Sequence, residues 1–149
     1  METARNQLTR LFIALLAAVG LLVGGGCQTT DEPAPQPKEK QTAKADKDGV
    51  QRVKVVAGSY FFKPAHIVVK ADVPVELLAS REPGITPHNL VIKAPEAGIA
   101  VEEELATAPK KIAFTPEKPG KYEFYCAKKP PLFASHRERG MVGVLEVVP

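Results

Sequence analysis

The segment PGKYEFYC, residues 119–126, decides the fold class because its polar and apolar side chains alternate. Tyr122, Phe124 and Cys126 fall on one face of an extended strand, and Lys121 and Glu123 fall on the other. The Pro-Gly pair at the start of the segment is a turn signal. We therefore predict a half-buried β-strand whose inner face ends at a cysteine.

The same pattern extends over residues 50–149, where short apolar segments alternate with proline and glycine. Only Glu96–Ala108 is a candidate helix, and it is short. This pattern predicts an all-β domain, a Greek-key β-sandwich of about seven strands with at most one short helix. The predicted strands are Val50–Ala57, Ala65–Lys70, Val73–Ser80, His88–Lys93, Lys110–Thr115, Lys121–Ala127 and Val142–Val148.

The composition places the chain among globular proteins of one domain. It has 149 residues, of which 44% are apolar, and that share is enough to build a core. The formal net charge is only +3 and the charges are interleaved, so the composition predicts no nucleic-acid partner.

The first residues have the pattern of an export signal. Arg5 and Arg10 precede Leu11–Val23, an apolar run too short to span a bilayer comfortably, and small residues follow it. We therefore predict that residues 1–26 are an export signal of the lipoprotein type. The rest of the chain is then extracytoplasmic, in a bacterial periplasm or at the cell surface.

The sequence GGGC at the end of this run resembles a bacterial lipoprotein cleavage site, with Cys27 as the lipidated residue that anchors the chain to a membrane. The pattern departs at Gly24, where such sites usually have leucine. An ordinary signal or an uncleaved anchor is the alternative. Residues 27–49 are rich in proline and charge and contain no large apolar side chain, so we predict a disordered tether.

Lipidation of Cys27 would leave Cys126 without a disulfide partner, because the chain has two cysteines. A buried inert thiol is one interpretation of Cys126, and a metal-bound thiolate is the other.

Two further segments favour the metal. HNLVIK places His88 at the start of a strand, on its apolar side. CAKKPPLFASHRERGM, residues 126–141, leaves the cysteine strand and contains His136 and Met141. If the two segments converge, they bring together two imidazoles, one thiolate and one thioether. These are the ligands of a blue-copper centre.

At these residues the chain resembles the cupredoxins, the plastocyanin/azurin-like blue copper proteins. The resemblance covers nearly all of residues 50–149 and is carried by PHNLVIKAP, FTPEKPGKYEFYC and HRERGMVGVLEVV. It implies that His88, Cys126 and His136 are equatorial ligands of one type 1 copper ion and that Met141 is the axial ligand.

The resemblance also assigns a supporting residue and shows one departure. Asn89 matches the asparagine that often follows the first histidine and whose side chain ties the two ligand loops together. Residues 127–135 separate Cys126 from His136, whereas the family usually has only a few residues there.

The function that the resemblance implies is one-electron transfer between redox protein partners, with copper alternating between Cu(I) and Cu(II). Such a protein is an electron carrier and not an enzyme, and it has no small-molecule substrate. We expect electrons to pass through the ring edge of His136, the most loop-exposed ligand. Leu132 and Phe133 either cap the core or form an apolar rim where a redox partner docks.

Two other functions stay open at this point. A copper chaperone or storage module of the same fold would use the same ligands. A thiol-based enzyme would use Cys126 as the nucleophile and His136 as the base.

Overall fold

The structure is a computed structural model that describes residues 39–149. This part of the chain forms ten strands and one 3₁₀ turn at Pro95–Ala97. Within it, no helix has the length and apolar character needed to cross a membrane. The strands are β1 Lys40–Thr42, β2 Gln51–Gly58, β3 Phe61–Lys63, β4 His66–Lys70, β5 Val75–Arg81, β6 His88–Ala94, β7 Ile99–Leu105, β8 Lys110–Phe114, β9 Gly120–Tyr125 and β10 Val142–Val148.

The strands form two sheets that enclose the core. One sheet has the order β1-β4-β10-β9-β6-β7, and the other has the order β3-β2-β5-β8. β9 is antiparallel to both of its neighbours, β10 and β6. The all-β sandwich is therefore confirmed, and each of the strands predicted from residues 50–149 is present close to its predicted bounds.

The candidate helix at Glu96–Ala108 was wrong, because most of it is strand β7. Ile99, Val101 and Leu105 are buried, whereas the residues between them are largely exposed. This is a period of two residues, which suits a strand that packs one face on the core. Pairing of β7 along the whole length of β6 outweighs the helix propensity of its alanine and glutamates.

The N-terminal edge of the domain contains ordered residues that composition assigned to the tether. β1 pairs in parallel with β4, and Ala43 is buried in the core. These residues are ordered by backbone hydrogen bonds and by the small side chain of Ala43, and a hydropathy pattern reveals neither. The predicted export signal, the predicted lipidation at Cys27 and residues 27–38 of the predicted tether lie outside the described residues.

A close approach between two strands positions the end of β9. Phe124 packs edge-on against Phe62 of the other sheet, with ring centroids 5.2 Å apart. On its own sheet it lies against Gly143, where an added Cβ would stand only 2.1 Å from the Phe124 ring. Glycine is therefore required at position 143 for Phe124 to pack under β10. This packing holds the strand that ends at Cys126.

Candidate metal centre

Three neighbouring strands bring the predicted ligands to one edge of the larger sheet. His88 is the first residue of β6, Cys126 directly follows β9, and Met141 directly precedes β10. Because β9 lies between β6 and β10 and is antiparallel to both, its end meets their beginnings. The sheet alone therefore places these three side chains close together.

The three strongest donor atoms converge within the core. The Sγ atom of Cys126 lies 3.4 Å from Nδ1 of His136 and 3.9 Å from Nδ1 of His88. All three donor atoms lie within 4.8 Å of one another. The exposed fractions are 5% for His88, 0% for Cys126 and 1% for His136.

The spacing of these donors fits a single metal ion. Metal–sulfur and metal–nitrogen bonds of about 2.3 and 2.0 Å, the lengths found for zinc, place trigonal donors roughly 3.7 Å apart. The sulfur–nitrogen distances of 3.4 and 3.9 Å lie on either side of that value. A soft thiolate with two imidazoles is a donor set for copper or zinc and not for calcium or magnesium.

Met141 is tied by its main chain to two of the predicted ligands. Its N–H donates to the carbonyl of His136 at 2.9 Å, and its carbonyl accepts from the N–H of Cys126 at 3.2 Å. The side chain is fully buried. These contacts keep Met141 next to the donor cluster, and its role as the axial ligand stays a prediction.

The long segment between Cys126 and His136 is closed at its base. The N–H of His136 donates to the carbonyl of Lys128 at 2.8 Å, so the residues between them form an excursion that returns to its starting point. Next to His136, the carboxylate of Glu138 accepts from the N–H and the hydroxyl of Ser135, at 2.6 and 2.7 Å. The extra length therefore projects outward and does not displace the histidine.

Asn89 connects the two ligand-bearing segments. Its side-chain Oδ1 accepts from the N–H of Ala127 at 2.8 Å, and its own N–H points at the sulfur of Cys126 at 3.5 Å. Asn89 is buried, so both contacts are shielded from water. This is the link between the two segments that the resemblance implied for Asn89.

The surroundings favour neutral imidazoles in the absence of metal. Burial lowers the pKa of His88, and the neighbouring His136 and Arg81 lower it further. Burial also lowers the pKa of His136, with a smaller contribution from Arg139. A neutral imidazole keeps a lone pair for a metal, so neither histidine has to lose a proton before it can bind one.

The expectation that His136 is an exposed ligand was wrong. Its ring is covered by Tyr60, which packs edge-on with ring centroids 5.3 Å apart. Tyr60 belongs to the turn between β2 and β3, far from the ligands in sequence. Sequence analysis did not identify this residue, because no local pattern around it indicates which loop of the other sheet it will meet.

The remaining candidates fall outside the donor cluster. Leu132 and Phe133 are exposed by 102% and 60%, so they do not cap the core. With Tyr60 and Ile85 they are the large apolar residues that stand exposed in the described part of the chain. His66 instead lies on β4, where its Nε2 is 2.7 Å from a carboxylate oxygen of Glu146.

A comparison with protein families finds one match over most of the domain. The family model described as cupredoxin-like domain matches residues 34–142. A comparison of the sequence with curated proteins returned no match.

Solved structures share the fold at low sequence identity. The metal-binding domain of the Cu(I)-exporting P-type ATPase CopA of Streptococcus pneumoniae, determined with Cu(I), is 23% identical, with a TM-score of 0.57 over 76% of this chain and 99% of that one. A copper binding protein in its apo form, determined by NMR, is 23% identical, with a TM-score of 0.53 over 75% and 100%.

A reduced auracyanin from the photosynthetic bacterium Roseiflexus castenholzii is 20% identical, with a TM-score of 0.52 over 66% of this chain and 97% of that one. At these identities the likeness describes the fold, and the site rests on the residues of this chain.

Proposed function

The chain belongs to the cupredoxin-like family, and on that premise we propose that it binds one copper ion through His88, Cys126, His136 and Met141 and transfers single electrons between redox proteins. The observation that carries this proposal is the buried convergence of one sulfur and two imidazole nitrogens at metal-ligand spacing.

Copper, when bound, supplies a one-electron couple between Cu(I) and Cu(II) that the side chains by themselves lack. Thiolate and thioether ligands suit Cu(I), and imidazole suits both states. The protein contributes rigidity, because Asn89 and the main chain of Met141 hold the donors in place. Ligands that are already in position need to move little when the charge of the site changes.

Burial of the donors favours electron transfer over copper delivery. A protein that hands copper to a partner needs an open edge at which an incoming ligand can attack. None of the three donor residues is more than 5% exposed. Electrons can cross a covered ring, whereas an incoming ligand cannot, so a closed site supports the electron carrier.

The same burial counts against the thiol enzyme. Cys126 lies within 3.4 Å of a histidine nitrogen, as a nucleophile and its base would. The thiol is nevertheless 0% exposed, and its sulfur is also approached by the N–H of Asn89. A substrate would have to displace core side chains before it could reach the sulfur.

The partner and the location belong to the same proposal. We assign the partner-docking rim to Leu132 and Phe133, since solvent-exposed apolar side chains beside a redox site suit a transient partner. A lipid anchor at Cys27 would hold the domain outside the cytoplasm, near membrane redox proteins. The matching test is Cys27→Ala, which should release the protein from membranes, and membrane retention of that variant would contradict the anchor.

A spectrum tests the copper site. We expect the purified protein with Cu(II) to develop an intense thiolate-to-copper band and the EPR signal of a type 1 centre. Cys126→Ser should abolish both signals, whereas His66→Gln should keep them because His66 lies outside the cluster. A folded wild-type protein without the band would refute the proposal.

A second measurement distinguishes an electron carrier from a protein that stores or delivers copper. An electron carrier should show a reversible reduction potential and fast electron self-exchange, and it should release Cu(I) slowly to a chelator. Rapid, complete transfer of Cu(I) to the chelator would instead identify a copper chaperone or storage module.

A further inference from the structure

The cover over His136 comes from the sheet that contributes no ligand. Tyr60 stands in the turn between β2 and β3, with a left-handed backbone at φ 63°. Its ring meets the His136 ring at an interplanar angle of 89°, with the centroids 5.3 Å apart. Tyr60 is itself 38% exposed, whereas His136 is 1% exposed. One side of the tyrosine therefore contacts a ligand residue while another faces solvent.

Arg139 connects this cover to the ligand loop. Its Nη1 donates to the hydroxyl of Tyr60 at 2.9 Å. The guanidinium carbon lies 5.0 Å from the centre of the Tyr60 ring and 5.8 Å from that of Phe133. Cation–π contact and a hydrogen bond act on the same tyrosine, so Arg139 links Tyr60 to the loop that presents His136.

We propose that Tyr60, fastened by Arg139, is a positioning residue that closes the copper site against water and external ligands. The inference rests on the proposed copper function, which it deepens by naming the residue that keeps the ligand set closed. With the cover in place, partners exchange electrons with the site across the Tyr60 ring and do not bind the metal directly. Without it, small anions would reach the metal beside His136.

The first test needs no copper. Diethyl pyrocarbonate acylates neutral imidazoles that solvent can reach, and peptide mapping reports each of the three histidines separately. In the copper-free wild-type protein we expect the half-buried His66 to react while His88 and His136 stay protected. In Tyr60→Gly we expect His136 alone to become reactive, and glycine accepts the left-handed backbone at this position without strain.

Two outcomes of this test would overturn the proposal. In one, His136 stays as protected as His88 in a folded Tyr60→Gly protein, which would show that the tyrosine is not the cover. In the other, His88 and His136 become reactive together, which would show that the substitution loosens the whole core and does not open one position.

The second test uses the copper-loaded protein. Azide should leave the Cu(II) absorption and EPR spectra of the wild type unchanged and should alter both in Tyr60→Gly. Tyr60→Phe keeps the ring and should remain closed to azide, whereas Arg139→Gln loses the fastening and should respond at higher azide concentrations than Tyr60→Gly. A Tyr60→Gly centre inert to azide would contradict the proposal.

Tyr125 provides a matched control for the azide test. It also has a guanidinium over its ring, that of Arg137 at 4.2 Å, but it lies on β9 with its side chain turned away from the Cys126 face. Tyr125→Ala should leave the centre closed, and an azide response in this variant equal to that of Tyr60→Gly would count against a specific role for Tyr60. Absence of the thiolate-to-copper band in the wild type would refute the copper function alone, since the acylation result does not depend on metal.

Discussion

The two segments that hold the imidazoles are built in different ways. His88 belongs to a strand, β6, that is paired on both sides, by β7 and by β9. His136 belongs to a loop excursion that is held by the hydrogen bond to Lys128 and by the cover of Tyr60. The same chemical group is thus positioned once by the sheet and once by a few local contacts.

This difference indicates where the site is rigid and where it can vary. A ladder of backbone hydrogen bonds changes only if the sheet changes, so His88 is as stable as the core. A loop can lengthen without cost to the sheet, provided that its base stays closed. We infer that the excursion beyond Lys128 is where this protein departs in length from its family without losing the donor geometry.

The largest expected effect comes from removing each imidazole in turn. Both His88→Gly and His136→Gly should lose the thiolate-to-copper spectrum completely. Added imidazole should restore it in His136→Gly, because the substitution removes the ring against which Tyr60 packs and leaves only that one partly exposed side chain between the cavity and solvent. It should fail to do so in His88→Gly, whose cavity is enclosed by the sheet. Equal rescue of both variants, measured by absorption titration, would contradict the contrast between the two segments.

The next effect comes from the residue that joins the segments. Asn89→Ala leaves the buried N–H of Ala127 without its acceptor and should cost about 1–3 kcal/mol of unfolding free energy. The copper spectrum should shift as well, since Cys126 is no longer held relative to His88. Urea denaturation and absorption measure the two effects.

Gln51 is the matched control for that variant. It is another buried amide, which accepts from the N–H of Lys70 at 2.8 Å, but it lies at the start of β2, away from the ligands. Gln51→Ala should lower stability by a similar amount and leave the copper spectrum unchanged. A spectral shift in this variant as large as that in Asn89→Ala would mean that loss of stability alone perturbs the site.

A smaller effect is expected at the loop base. Ser135→Ala removes the hydroxyl that donates to Glu138 and accepts from its N–H, in the manner of a cap. The expected cost is about 0.5–2 kcal/mol. Because only the loop is loosened, release of copper to a chelator should quicken while the spectrum stays the same. If the copper spectrum of Ser135→Ala changes while the rate of copper release does not rise, the loop and the donor geometry are coupled more tightly than we infer.

The smallest expected effect is a pH dependence of the stability of the copper-free protein, to which both histidine segments contribute. The pKa values of His88 and His136 are both lowered, chiefly by burial, so the unfolded chain binds protons more readily than the folded one. The stability of the copper-free protein should be fully present above the unfolded value of about 6.5 and should decline as the pH falls through the lowered values. Urea midpoints between pH 8 and pH 5 measure the decline.

Single substitutions measure how much each histidine contributes to this pH dependence of stability. His88→Gln and His136→Gln should each remove part of the pH dependence of stability, and Gln51→Ala, which removes a buried amide but no titratable group, serves as the control. An unchanged decline in both ligand variants would mean that other groups cause it.

Much of the fold followed from alternation, which is a local property of the chain. In Lys121–Cys126 the side chains that point inward are determined by a two-residue period. In β6 both faces are buried, but the alternate residues Leu90, Ile92 and Ala94 are the ones that join the core cluster. Where the pattern was weaker, prediction did less well. β1 and β3 are three residues each, too short for a period to be visible, and β7 has glutamates that suggested a helix.

The sequence by itself determined the type of domain and the chemical identity of the donors, because strand periodicity and side-chain chemistry are both written in neighbouring residues. Only the tertiary structure decided how the donors are enclosed. The packing of Tyr60 on His136, for example, is a contact between segments that are distant along the chain. Such contacts depend on which sheet edges meet, and that is a property of the packed sandwich and not of any short stretch of sequence.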